Sequence, residues 1–352
     1  VKVLLQESHD SHGEAAVSHE AETQVEAEES HNTTNEDVAH SDDTHAEHAF
    51  HYLKNKPWSA LYVALFFFFM LSLGALAFYA IQHAAQAGWS VVLFRVMEGI
   101  TAYLPIGAIL LFVFFVLSSL HFNHLFIWMD ADVVAHDELI QNKAGYLNVP
   151  FFLIRAVIYM AGWIAYRQYA RKLTLAQDNA TDLSNYTKLF KSSAAFLVFF
   201  LVTESMMSWD WIMSLDPHWY STLFGWYVFA SMIVSAITTI ALVSIYLKGK
   251  GYLEFVNNSH LHDLAKFMFG FSIFWTYLWF SQFMLIWYAN IGEETTYFLT
   301  RKDDYPVLFF GNVVINFVVP FLALMINNSK KHHTWLVVIS AIVFLGHWMD
   351  FF

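Results

Sequence analysis

The run "LYVALFFFFMLSLGALAFYAI", Leu61–Ile81, decides the fold: it holds 21 residues and no charge. A helix rising about 1.5 Å per residue needs about 20 such residues to cross the hydrocarbon of a bilayer. In lipid only helices and closed barrels satisfy their backbone polar groups, and uninterrupted apolar runs of this length read as helices. Working outward, the same reading gives eight spans, at about 59–83, 91–120, 151–171, 189–210, 222–247, 264–289, 306–327 and 334–352. Apolar and aromatic residues make up 57% of the 352 positions and charged ones 14%, so no soluble catalytic domain is left over. The expected fold class is an all-α polytopic membrane protein. Its expected domains are an extramembrane segment, 1–57, and a transmembrane helical bundle, 58–352.

The net charge of −12 is concentrated in one place. Residues 1–57 hold 13 acidic and 3 basic residues, against 17 and 15 in the remainder. That segment, rich in Glu, Ser, Ala and His, has almost nothing apolar to bury, which predicts disorder or an extended path over a partner. Its histidines (His9, His12, His19, His31, His40, His45, His48 and His51) lack the fixed spacing of a structural zinc site, and no metal is assigned to them. The chain has no cysteine, which excludes disulfides, cysteine-held iron–sulfur clusters and thioether haem. His83, His121 and His347 lie near span ends, but only the last two share a side, so no intrinsic b-type haem is expected. The absence of an initiator Met and the stop at "GHWMDFF" suggest a fragment of a chain with about ten spans.

Basic residues set the orientation. Arg167, Arg171, Lys172, Lys188 and Lys191 lie between spans three and four, Lys248, Lys250 and Lys266 between five and six, and Lys330 and Lys331 between seven and eight. The positive-inside rule makes these loops cytoplasmic and places the acidic segment outside, with Lys54 and Lys56 in weak dissent. The opposite loops pair Trp or Tyr with acids: "HFNHLFIWMDADVVAHDEL", "SWDWIMSLDPHWY", "WYANIGEETTYFLTRKDD" and "GHWMDFF". An interfacial aromatic belt accounts for the rings but not for the recurring carboxylates. The triplet Trp128-Met129-Asp130 recurs as Trp348-Met349-Asp350, hinting at repeated units.

Four ionisable residues stand out inside spans: Arg95 and Glu98 near the inner end of span two, Arg155 in the outer part of span three, and Glu204 about two turns from the outer end of span four. Each such charge costs about 2.5–3.5 kcal/mol on insertion scales, so each is expected to face protein, water or a partner. Arg95 and Glu98 share a helical face at i, i+3. Arg155 and Glu204 share a depth and are expected to pair, fixing helix register. The functional expectation is a proton path through Glu98, Arg95, Glu204, Asp210, Asp216 and His262, bridged by groups such as Thr101, Tyr103, Ser205 and Gln282. Arg155, His121, Asp130, His347 and Asp350 are candidates for helix pairing or quinone contact.

Two long stretches carry a resemblance: "ESMMSWDWIMSLDPHWYSTLFGWYVFAS", Glu204–Ser231, and "HLHDLAKFMFGFSIFWTYLWFSQFMLIWYANIGEETTYFLTR", His260–Arg301. They closely resemble the second NrfD/PsrC-like (ActF-like) membrane subunit of bacterial alternative complex III, over essentially everything from about residue 58. The resemblance implies two four-helix bundles and a place in a respiratory quinol:cytochrome c oxidoreductase of the bacterial inner membrane, with the acidic segment periplasmic. It implies a non-redox subunit with no ligated cofactor, quinone or menaquinone as a candidate contact, and haem c and iron–sulfur clusters in partner subunits. The implied partners are a sister NrfD-like subunit, an iron–sulfur protein, multihaem and monohaem cytochromes c, small membrane subunits, a terminal oxidase and lipids, with no nucleic acid. Two other readings compete: a stand-alone secondary transporter, and a purely structural subunit whose outer acids dock a cytochrome.

Overall fold

The structure is a computed structural model that describes residues 34–352 apart from Asn328, with side chains from Asn55 onward except those of Glu293 and Ser329. Residues 1–33, with His9, His12, His19 and His31, lie outside the described residues. Among the described residues there is no strand, and eight helical stretches are long and apolar enough to cross a membrane. Each coincides with an expected span to within several residues: Asn55–Ala84, Gly88–Ser119, Val149–Asp178, Ser184–Leu215, Phe224–Gly249, Asn258–Ala289, Pro306–Met325 and His333–Phe351. Residues 34–57, whose composition reads as extended or disordered, lie in α1 (Thr34–Ala84).

The second span is built from α2 (Phe94–Ile100) and α3 (Leu104–Ser119), joined by a 3-10 turn at Thr101–Tyr103. Pro105 follows that turn and has no N–H to donate, which accounts for the tightened backbone before it. The short helices α4 (Ala131–His136) and α5 (Glu138–Lys143) lead into α6 (Val149–Asp178) and α7 (Ser184–Trp211). The second half holds α8 (Phe224–Gly249), α9 (Asn258–Ala289), the amphipathic α10 (Gly292–Asp304), α11 (Pro306–Val313), α12 (Val319–Met325) and α13 (His333–Phe351). A π-helical turn, Val314–Val318, joins α11 to α12 just before Pro320, so the seventh span is interrupted for the same reason as the second.

Burial orders the helices. The apolar windows of α1 and α8 are 72% and 78% buried, whereas no other span exceeds 39%. These two helices therefore form the centre, and the rest turn a face outward, as Ile109, Ile154, Val202, Leu285 and Leu322 do. Close approach at the centre depends on Gly74 of α1: a Cβ there would meet the Met232 carbonyl oxygen of α8 at 2.7 Å. Small residues at crossings are what brings helices together in lipid, where no hydrophobic force distinguishes protein from solvent.

Around that centre, α6 packs on α3 and α7, while α9 and α13 pack on α8 and α12 lies against α9 and α13. Trp211, fully buried at the end of α7, meets Phe66, Phe69, Phe115, Tyr159 and Trp163 from three other helices. Its backbone carbonyl, orphaned by the helix end, accepts from the Tyr62 hydroxyl at 2.6 Å. The spans alternate in direction. One end of the bundle thus carries the Lys- and Arg-rich connections (the basic end), and the other carries the Trp, Tyr and acid-rich ones (the aromatic end).

Candidate functional sites

Buried ionisable side chains gather in three places. At the basic end Glu98 of α2 is 7% exposed and accepts from Arg95 Nη1 at 2.8 Å, Thr174 Oγ1 at 2.7 Å and Tyr79 at 3.2 Å. Arg171 of α6 closes on the same carboxylate, and Arg95 also pairs with Asp178. The Arg95–Glu98 spacing on one face of the second span thus has its counterpart in α6, where Arg167, Arg171, Thr174 and Asp178 recur at helical intervals. Leu76, Tyr79, Glu98, Thr101, Arg167, Ala170 and Arg171 line a cleft there. Sequence reasoning singled out Arg95 and Glu98 but passed over the α6 side of this network, whose 4, 3, 4 spacing was the available signal.

Toward the aromatic end of the first half, the expected Arg155–Glu204 pair does not form. Arg155 instead grips Asp210 through two bonds, Nε–Oδ2 at 2.8 Å and Nη2–Oδ1 at 2.9 Å, with neither residue meaningfully exposed. Tyr159 donates to the same carboxylate at 3.1 Å. The remaining side of the guanidinium donates to the Tyr146 carbonyl at 3.1 Å and lies over the Tyr146 and Phe151 rings at 3.9 and 4.2 Å. The reason is the lean of helical side chains toward their own N-terminus. Since α6 starts at the aromatic end, Arg155 leans outward; since α7 starts at the basic end, Asp210 leans inward to meet it. Glu204, one and a half turns earlier on α7, leans away. It is 2% exposed, and its Oε1 has no hydrogen-bond partner among the described residues.

Asp216 is not part of that buried group. It is exposed, 3.9 Å from His218 Nδ1, and His218 Nε2 in turn meets Asp137 Oδ2 at 2.6 Å. Asp137 caps α5, accepting from the N–H groups of Leu139 and Ile140 at 2.9 and 3.1 Å. The Ile140 N–H above all, with the His218 contact, holds the Asp137 carboxyl below its ordinary range. His121 is exposed at a left-handed turn (φ 62°), and Asp130 caps α4 with His124 3.6 Å away. Asp130 and Asp350 therefore share a sequence triplet but not an environment. His262 meets Asn327 Oδ1 at 2.5 Å, in the second half of the chain, and is not among the groups bonded to Glu98. Of the groups expected to bridge Glu98 to Glu204, Thr101 bonds back to the Glu98 carbonyl, Ser205 to that of Leu201, and Gln282 Nε2 has no partner among the described residues.

The third gathering unites Asp350 of α13 with three other helices. Its Oδ2 accepts from Ser231 Oγ at 2.9 Å and Trp275 Nε1 at 3.0 Å; its Oδ1 accepts from Asn312 Nδ2 at 2.7 Å and from the Tyr227 hydroxyl. His347, fully buried, has Nδ1 2.9 Å from Ser231 Oγ. No cysteine exists, and no group of three or more potential ligands suited to a metal occurs among the described residues.

No family model and no curated protein matches the chain. The three clusters are thus read on their chemistry: two are charged pairs held across helices, one is a carboxylate held by neutral donors, and between the first two stands an unpaired acid.

Proposed function

We propose that this chain is an integral membrane subunit of a respiratory quinol:cytochrome c oxidoreductase of the alternative complex III kind, in a bacterial inner membrane, and that it moves protons while partner subunits carry the electrons. The observation that carries the proton reading is Glu204: a carboxyl sunk in a span, with one oxygen lacking any partner among the described residues. An unpaired carboxylate in hydrocarbon is costly, and a protonatable group at such a position is by default a functional one. Glu98, ringed by donors at the basic end, supplies an entry, and Glu204 with the tryptophan-rich stretch that follows it forms the outer section. The assignment to a complex rests on the resemblance of Glu204–Ser231 and His260–Arg301. On this reading haem c and iron–sulfur clusters belong to partners, and quinone is a contact rather than a ligated cofactor.

Two measurements test the reading. Affinity purification from native membranes is expected to bring down haem-bearing partners with their visible absorbance; a chain that comes out alone and transports a solute on its own overturns the complex. In the intact assembly, Glu204→Gln is expected to cut proton coupling at least tenfold while leaving assembly intact, and unchanged coupling overturns the path. A purely structural role is favoured for one pair only: Arg155 and Asp210 are so fully bonded to each other and to tyrosines that they pin α6 to α7.

A further inference from the structure

The hydrogen bonds around Asp350 have a direction. Ser231 Oγ lies 2.9 Å from Asp350 Oδ2 and 2.9 Å from His347 Nδ1, so it sits between the two as a bridge. A carboxylate only accepts, which makes the Ser231 hydroxyl the donor to Asp350 and leaves its oxygen to accept from His347. In its neutral form His347 therefore carries its proton on Nδ1, which leaves Nε2 a bare acceptor. That nitrogen is buried, in a residue with no exposed surface, and has no hydrogen-bond partner among the described residues. The direct Nδ1–Oδ2 separation of 3.9 Å is too long for a hydrogen bond, so the serine is the connection.

The other groups that donate to Asp350 are neutral. Trp275 of α9, Asn312 of α11 and Tyr227 of α8 complete the donors to Asp350. Asn316, in the π-helical turn, donates to Asn312 Oδ1 at 2.5 Å and so fixes which way that amide points. From α10 come Tyr297, stacked on Trp219 at 4.0 Å, and Arg301 over the Tyr297 ring at 3.5 Å; both act electrostatically on Tyr227. α1 contributes the rings of Phe66 and Phe67 against α13. Among the described residues, the titratable or charged groups facing the site are thus Tyr227, Tyr297 and Arg301, with no second carboxylate.

We propose that His347, Ser231 and Asp350 form a proton-binding relay in the second half of the bundle, separate from Glu98 and Glu204 and independent of the respiratory assignment. A proton arriving at His347 Nε2 forms an N–H bond there. Nδ1 releases its proton to Ser231 Oγ, and the Ser231 hydroxyl proton passes to Asp350 Oδ2. One proton enters, and the site ends with a neutral imidazole protonated on Nε2, an intact serine hydroxyl and a neutral carboxyl. Every hydrogen bond of the bridge is then reversed: Asp350 donates to Ser231, and Ser231 donates to Nδ1. The other donors keep the carboxylate in place before loading, and no cation need enter the hydrocarbon.

The test uses the chain as purified from membranes with whatever accompanies it, labelled with 15N-histidine and assigned by subtracting a His347→Gln sample. The probe is the proton itself, added by lowering the pH. Magic-angle NMR is expected to show His347 changing from the Nδ1–H to the Nε2–H tautomer, while pH-difference infrared spectra gain one protonated-carboxyl band in the same step. Asp350→Asn is expected to delete that band, Ser231→Ala to abolish the tautomer change, and Ser231→Thr, which keeps the hydroxyl, to restore it. Glu204→Gln is expected to leave all of this unchanged, so the two proposals fail separately. A His347 ring that stays neutral in one tautomer with no carboxyl band overturns the relay and leaves a static pin. An imidazolium beside an unprotonated Asp350 overturns transfer through Ser231.

Discussion

Replacing Asp210 by Ala asks whether the α6–α7 junction is held by charge. The substitution removes the acceptor of two Arg155 bonds, at 2.8 and 2.9 Å, and of the Tyr159 bond at 3.1 Å. It leaves a guanidinium whose side chain is only 4% exposed. Removing one partner of a buried pair costs about 3–5 kcal/mol, because the survivor is an uncompensated charge. Arg155 keeps its bond to the Tyr146 carbonyl and its place over the Tyr146 and Phe151 rings. Cation–π contacts of this kind contribute about 0.5–2 kcal/mol, which places the expected loss toward the lower bound of the range.

A loss of about 3 kcal/mol corresponds to about two orders of magnitude in the unfolding equilibrium. Equilibrium unfolding in mixed micelles, followed by the fluorescence of the buried tryptophans, reads it directly. Arg155→Met should cost less, since Asp210 can take up a proton where Arg155 cannot lose one. The double variant Arg155→Met, Asp210→Leu should recover most of the loss, since apolar replacements of a buried pair are often neutral. A single-variant cost below about 1 kcal/mol, or costs that simply add in the double variant, would refute the claim that these side chains depend on each other.

The same reasoning gives a smaller figure at the other end. Glu98→Ala should cost only about 1–2 kcal/mol, because Arg95 and Arg171 are 42% and 40% exposed and can reach water once released; unfolding under the same conditions reads the difference. Gly74→Ala should cost about 1–3 kcal/mol and loosen α1 against α8, since the 2.7 Å contact is with backbone rather than a side chain that can turn away. At the aromatic end the folded carboxyl of Asp137 lies below its ordinary range, so its contribution is present above the unfolded value and lost as pH falls through the folded one. Amide exchange at Leu139 and Ile140 should accelerate only once the pH drops beneath the ordinary aspartate range, and Asp137→Asn, which still caps, should abolish that dependence.

The spans were legible because the rule behind them is local: about 20 apolar residues in a row require nothing of the neighbours. Arg95 with Glu98 was legible for the same reason, being one face of one helix. Which helix faces which is a different kind of information. Depth alone pairs Arg155 with Glu204; depth corrected for the lean of each side chain selects Asp210, so that error was avoidable. The shell of Asp350 was not accessible in the same way. Ser231, Trp275 and Asn312 are ordinary span residues until four helices bring them to one point, and no spacing within any single helix marks them.

Two ways of keeping a carboxylate in hydrocarbon stand side by side in this bundle, and they predict different behaviour. Asp210 is met by a guanidinium with matching geometry, and a fully paired charge has no reason to exchange a proton. Asp350 is met by hydroxyl, indole and amide groups, which stabilise its charge without neutralising it and leave the added proton a place to go. Glu204 has neither arrangement at Oε1. The order of protonation follows from partners rather than from depth. Glu204 and Asp350 are the groups that can take a proton without breaking an ion pair, and Asp210 is the one that holds the helices still while they do.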